Sequence, residues 1–180
     1  MNKNLKKIVL GGGCFWCLEP IFKKLNGVED VVVGYSGGSS GSPSYEQVCS
    51  GRTGHAEVIE VTYDSEVISL NELLEVFFQI HDPTTLNRQG ADIGTQYRSI
   101  ILVNDEAEIE KVKETIEKID ESGLWRNKIV TQVDQLAEFY PAEEYHQNYF
   151  EKNPWAGYCQ VVINPKLKKF KEKFSHQLKI

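Results

Sequence analysis

Two cysteines three positions apart, in Cys14-Phe15-Trp16-Cys17, are the most reactive pairing in this chain of 180 residues. Ahead of them lie apolar Ile8-Val9-Leu10 and then Gly11-Gly12-Gly13; behind them Ile21, Phe22 and Leu25 recur at helical spacing. The pattern predicts a strand, a turn, and a helix that starts close to Cys14. Unpaired N–H groups at a helix start favour an anion, so a thiolate, the nucleophilic form, is expected at Cys14. Glycine before it permits unusual dihedrals and a close approach to the sulfur. Phe15 and Trp16 suggest an apolar pocket for a small group. The competing reading is a structural or metal-binding Cys-x-x-Cys after an ordinary turn. Pro20 removes a backbone donor beyond the first turn, so either that turn is irregular or the regular helix starts a few residues later.

A second candidate is an acid. Over Ala56 to Tyr63 the alternation of a strand puts Glu57 on one face with Ile59, Val61 and Tyr63, and Ala56, Val58, Glu60 and Thr62 on the other. A carboxyl among those apolar neighbours holds its proton to higher pH than a free one. A glutamate at the sheet edge, leaning into water, fits the periodicity equally well. Tyr35 and Tyr45 bound the glycine- and serine-rich stretch from Gly34 to Tyr45, and loops of that length inside a compact domain are usually functional or disordered. Between Phe139 and Phe150 several aromatics surround His146.

The remaining elements supply the frame. Val28 to Val33 reads as a strand, as do Ser99 to Val103, Ile129 to Val133 and Tyr158 to Ile163, the last with Cys159, Val161 and Ile163 on one face. Ser69 and Glu72 form a capping box before a helix carrying Leu73, Leu74, Phe77, Phe78 and Ile80. Ile109, Val112, Ile116 and Ile119 stripe an acidic helix, and six lysines surround Leu167, Phe170, Phe174 and Leu178 near the end. Strands and helices mix without repeats, so an α/β domain of two layers is expected over residues 1–180. Charged residues are 26% and the net charge is -6, which argues against nucleic acid as a partner. The basic start is followed by too short an apolar run for a signal core, and no run reaches membrane-spanning length, so a cytoplasmic protein with reduced cysteines is expected.

Several chemistries are then set aside. Zinc would need a second close pair beside Cys14 and Cys17, and Cys49, Cys159 and the histidines offer none, while Glu143 and His146 also lack a matching pair. No lysine follows the glycines as a phosphate loop requires. No cofactor is expected. Thioredoxin-like thiol–disulfide exchange through Cys14 and Cys17 stays open, although it leaves the other polar residues unexplained.

Gly13-Cys14-Phe15-Trp16, Gly34-Tyr35-Ser36-Gly37-Gly38, Tyr45-Glu46-Gln47-Val48-Cys49-Ser50-Gly51 and Thr53-Gly54-His55-Ala56-Glu57 resemble, in order, the A-type peptide methionine sulfoxide reductases. The same order continues through His81-Asp82-Pro83-Thr84-Thr85, Asn87-Arg88-Gln89-Gly90, Gly94-Thr95-Gln96-Tyr97-Arg98-Ser99 and Tyr145-His146-Gln147. The resemblance covers about Ile8 to Ile163. It implies a ferredoxin-like, split βαβ core with a mixed sheet, and thiol-dependent reduction of the S epimer of methionine sulfoxide, free or in proteins. It also implies Cys14 as nucleophile, Glu57 as proton donor, Tyr45 and Tyr97 on the sulfoxide oxygen, Asp92 in support, and Phe15 and Trp16 against the methyl group. A sulfenic acid on Cys14 would be closed to a disulfide by a second thiol and recycled by thioredoxin or a similar dithiol. Cys17 stands where some members carry a small residue. Its place one helical turn from Cys14 makes it the favoured resolving thiol. Cys159 is the runner-up, because Tyr158-Cys159 resembles the C-terminal resolving site of other members, and Cys49 is a weaker candidate.

Overall fold

The structure is a computed structural model that describes residues 3–180. In chain order its elements are β1 (Leu5–Gly11), α1 (Phe15–Phe22), β2 (Val28–Ser36), α2 (Tyr45–Cys49), β3 (Ala56–Asp64), α3 (Leu70–Ile80) and the short pair β4 (Arg88–Gln89) and β5 (Asp92–Ile93). They continue with β6 (Ile100–Val103), α4 (Glu106–Ser122), β7 (Gln132–Gln135), β8 (Phe139–Pro141), α5 (Tyr149–Lys152) and α6 (Asn164–Lys173). The main sheet runs β7-β6-β1-β3-β2-β8, antiparallel throughout except for the parallel pair β6 and β7. Its inner four strands, β6-β1-β3-β2, with α1 joining β1 to β2 and α3 joining β3 to β6, are the ferredoxin-like split βαβ arrangement.

The alternation along β3 sorts its side chains as expected. Ile59, Val61 and Tyr63 enter the main core with Phe22, Phe77 and Phe78, while Ala56 and Val58 pack with Val9, Ile100 and Leu102 on the other face. Ser69 and Glu72 form the reciprocal cap that starts α3, and the Asp105 side chain caps α4 while Gly123, at φ 70°, ends it. The glycine- and serine-rich stretch is held by His55, whose Nδ1 accepts from the Gly38 N–H at 3.0 Å and whose Nε2 lies 2.6 Å from the Ser40 carbonyl. β2 runs on to Ser36, which shortens that loop and lets it deliver Ser44 as the cap of α2.

Two local expectations are corrected, and the choice left open at Pro20 falls to an irregular first turn. The helix α1 runs unbroken through Pro20, and its first turn is tightened, with the Cys17 N–H bonding the Cys14 carbonyl at 3.0 Å. The strand expected over Ile129 to Val133 is displaced to Gln132–Gln135, where it pairs with β6. The strand expected over Tyr158 to Ile163 is a turn of π-helix, Cys159–Ile163, that leads directly into α6. Both outer edges of the sheet are already taken by β7 and β8. Cys159, Ile163, Leu167 and Phe170 fall at helical spacing and are buried, whereas Val161 is 75% exposed. The β-branched run is therefore overridden by packing against α1. Among the described residues no helix is long and apolar enough to cross a membrane.

Candidate active site

Cys14 is the N-cap of α1, at the point where β1 ends and the triple glycine turns the chain. The glycines are needed by the wall behind the sulfur. A Cβ at Gly12 would lie 2.9 Å from the His81 ring, and one at Gly13, where φ is +90°, would lie 2.7 Å from Cγ of Gln89. The close approach that sequence placed at the sulfur is thus made by the protein's own side chains. His81 is fixed by the Phe77 carbonyl at 2.6 Å and Ser99 Oγ at 2.8 Å, and Gln89 by the backbone of Asp82 at 2.9 Å through both ends of its amide.

Glu57 is 1% exposed, and its Oε2 accepts the Phe15 N–H at 3.2 Å. Burial pushes its carboxyl up to about 8, with Asp92 adding to the effect and the Phe15 N–H and Cys14 opposing it. Of the two placements compatible with the strand alternation, the buried one is observed. Cys14 departs from expectation. Burial pushes its thiol well above the ordinary value, Glu57 and Cys17 push the same way, and only the Trp16 N–H and the Tyr158 hydroxyl pull it down. A helix start offers partial charge, but desolvation of a thiolate beside a carboxyl outweighs it. The resting pair is a thiol beside a carboxylic acid.

Tyr45 opens α2 and Tyr97 closes a 3-10 turn, Thr95–Tyr97. Both are half-buried. Burial holds both hydroxyls in the neutral form, and both feel Glu57. Tyr97 also feels Asp92 and Cys14, which places these groups around one space. Asp92, on β5, accepts the Tyr158 hydroxyl on Oδ2 at 3.2 Å, and that hydroxyl lies 3.6 Å from Cys17 Sγ. Cys17 and Cys159 are both buried and share an apolar cluster with Cys14, whereas Cys49 is exposed.

The apolar wall is built on α1. Phe15 is fully buried against Tyr35 and His146, with ring centroids 5.8 and 5.1 Å away. Trp16 stacks on Tyr149 at 3.7 Å and 6°. Glu143 joins this wall to α2: Oε1 accepts the Tyr35 hydroxyl at 3.0 Å and Oε2 the Tyr45 N–H at 3.1 Å.

All the predicted site residues, Cys14, Phe15, Trp16, Cys17, Tyr45, Glu57, Asp92 and Tyr97, gather around the start of α1. Sequence reasoning gave no site role to Tyr158, which it read only as the neighbour of Cys159 in a strand, to Glu143, which it weighed only as a metal ligand, or to His146, which it noted among aromatics and in the Tyr145-His146-Gln147 motif. The density of aromatics from Phe139 to Phe150 was the signal for the last two.

Residues 6–178 match the family model described as peptide methionine sulfoxide reductase. The peptide methionine sulfoxide reductase MsrA of Nautilia profundicola is 58% identical over 166 residues, 92% of this chain and 94% of that protein. The crystal structure of Mxr1 from Saccharomyces cerevisiae in reduced form superposes with a TM-score of 0.81 at 43% identity, covering 86% of this chain and 89% of that one. Mxr1 in complex with Trx2 is also similar, with a TM-score of 0.58 at 32% identity over 83% of this chain and 89% of that one.

Proposed function

The chain belongs to the peptide methionine sulfoxide reductase family, and from that premise we propose that Cys14 is the nucleophile of a reaction directed at the S epimer of methionine sulfoxide, free or in proteins. The enzyme is an oxidoreductase that reduces methionine sulfoxide to methionine. A sulfoxide oxygen leaves poorly unless protonated, so attack on sulfur requires a neutral acid at the site. Glu57 is that acid. Its raised titration beside Cys14 is the observation that carries the reading.

Glu57 gives its proton to the sulfoxide oxygen while Tyr45 and Tyr97 donate hydrogen bonds to it. The Cys14 sulfur attacks the substrate sulfur, and the thiol proton restores Glu57. Oxygen ends on Cys14 as a sulfenic acid, and methionine leaves. Phe15 and Trp16 receive the substrate methyl group, and Asp92 supports the polar side. Cys17 then closes a disulfide with Cys14, and thioredoxin or a similar dithiol reduces it. The Mxr1 complex with Trx2 supports that partner. Thioredoxin-like exchange as the main activity is not favoured, because it has no use for a buried neutral glutamate flanked by two tyrosines. We place the reaction in the cytoplasm, within one catalytic domain over residues 1–180.

The test is incubation of the protein and of Cys14→Ser with dithiothreitol and each epimer of methionine sulfoxide. The expected result is methionine from the S epimer with the native protein and none with Cys14→Ser, since a hydroxyl is a far poorer nucleophile toward sulfur. Turnover by folded Cys14→Ser, or disulfide exchange without sulfoxide reduction, would overturn the reading.

A further inference from the structure

We propose that the Tyr158 hydroxyl is a catalytic proton carrier, taking the Cys17 proton toward Asp92 in the step that closes the disulfide; this rests on the reductase reading above. Three distant parts of the chain meet at one oxygen. Asp92 Oδ2 accepts from it at 3.2 Å, and Cys17 Sγ lies 3.6 Å away. A tyrosine hydroxyl has one proton to give and lone pairs to accept with. That proton is committed to Asp92, so the Cys17 S–H donates to the hydroxyl oxygen. The bonds run in one direction, thiol to phenol to carboxylate.

Cys17 needs such an exit. It is 2% exposed, and burial raises its thiol, with Lys166 pulling it back down. Lys166 favours the thiolate but accepts no proton. Glu57 is occupied as the acid of the reaction, and both ring nitrogens of His81 are committed to Phe77 and Ser99. Tyr158 is itself held neutral by burial and by the negative groups around it, so it passes a proton on without stopping as a phenolate. Cys159 is fully buried, and burial alone moves its thiol. The relay therefore singles out Cys17 as the resolving sulfur.

The step balances. The Cys17 S–H pair becomes the new sulfur–sulfur bond as the Cys14 sulfur–oxygen bond breaks. Tyr158 takes the Cys17 proton and gives its own to Asp92, while Glu57 protonates the departing hydroxide to water. The Cys17 sulfur is oxidised, the Cys14 sulfur is reduced, and Asp92 and Glu57 return to their starting states by proton exchange with solvent.

Tyr158→Phe removes one oxygen and Asp92→Asn removes the acceptor charge. Each is mixed with one equivalent of methionine-(S)-sulfoxide without reductant, and methionine, dimedone-trapped sulfenic acid and mapped disulfide are followed separately. In both variants disulfide closure should slow at least about tenfold more than methionine formation, as expected for loss of a proton-transfer group, and trapped sulfenic acid should accumulate. In Cys159→Ser protein the disulfide should map to Cys14 and Cys17. Equal slowing of both steps in the two variants, or a Cys14–Cys159 link in the native protein, would overturn the relay and leave the reductase standing. Absence of methionine with the native protein would instead remove the reductase reading.

Discussion

The indole N–H of Trp16 donates to Nδ1 of His146 at 3.1 Å, across 130 positions of sequence. Because Nδ1 accepts, the histidine proton sits on Nε2, a fully buried nitrogen with no hydrogen-bond partner among the described residues. Burial keeps the ring neutral against the pull of Glu143. His146 therefore works as a fixed acceptor, wedged between Phe15, Tyr45 and Tyr145 at centroid distances of 5.1, 4.4 and 4.0 Å. It is a positioning residue for the apolar wall.

His146→Phe keeps a ring and removes the acceptor. Loss of one such bond is worth about 1 kcal/mol, so KM should rise roughly fivefold. The Trp16 fluorescence should change with it, and kcat should move less. His146→Asn, which offers an oxygen near the lost nitrogen, should recover part of the affinity. Equal KM values in the two variants would assign His146 a packing role only.

Glu57→Gln should slow methionine formation in a single turnover by roughly a hundred- to ten-thousand-fold, because an amide has no acidic proton to give. In the native protein the rate should fall as pH rises through about 8, where Glu57 loses its proton. The variant should lose that dependence.

The same carboxyl sets the stability profile. Its folded pKa is raised, so its contribution is complete below the unfolded value of 4.5 and is lost as pH rises toward about 8. His81, lowered by burial from 6.5 to about 4, acts oppositely: its contribution is complete above 6.5 and falls as pH drops toward 4. Between 4.5 and 6.5 the two slopes cancel. From pH 6.5 to 8 only the Glu57 slope remains, so unfolding free energy should fall by roughly 2 kcal/mol. Denaturant titration of the native protein and Glu57→Gln checks this, and the variant should be flat over that interval.

Glu143→Gln replaces an oxygen that accepts the Tyr45 N–H or the Tyr35 hydroxyl with an amide NH2 that can only donate. One of those donors then loses its acceptor, at a cost of about 1–3 kcal/mol. Tyr45 should shift with α2, so denaturation midpoint and turnover should fall together.

Gly13→Ala asks for a side chain at φ +90° and 2.7 Å from Gln89. A destabilisation of about 1–3 kcal/mol is expected, with lower activity, since Gln89 backs the turn that sets Cys14. Native stability in this variant would show that the turn relaxes freely.

Much of the frame was legible because it is local. The alternation in β3, the Ser69–Glu72 cap and the helical spacing after Cys17 each need only a few neighbours along the chain; the first two formed as read, and the helix formed through Ile21 and Phe22 but stops before Leu25, which bridges to Leu178 instead. Periodicity put Glu57 with Ile59, Val61 and Tyr63, and that face is the one turned to the main core. The types proposed for the site, a cysteine beside aromatics and an acid on an apolar strand face, were likewise visible as a pattern.

What the chain could not state locally was decided by packing. The run Cys159 to Ile163 has strand propensity, yet both sheet edges are filled and it turns as a helix against α1. Tyr158 becomes a site residue only because that turn brings it to Asp92 and Cys17. The charge state of Cys14 was decided the same way. A helix start acts through a few nearby N–H groups, whereas desolvation sums every group that displaces water from the sulfur. The neighbours that act on it include Glu57 on β3, Trp16 and Cys17 on α1 and Tyr158 near the C-terminus, and only the tertiary structure assembles them.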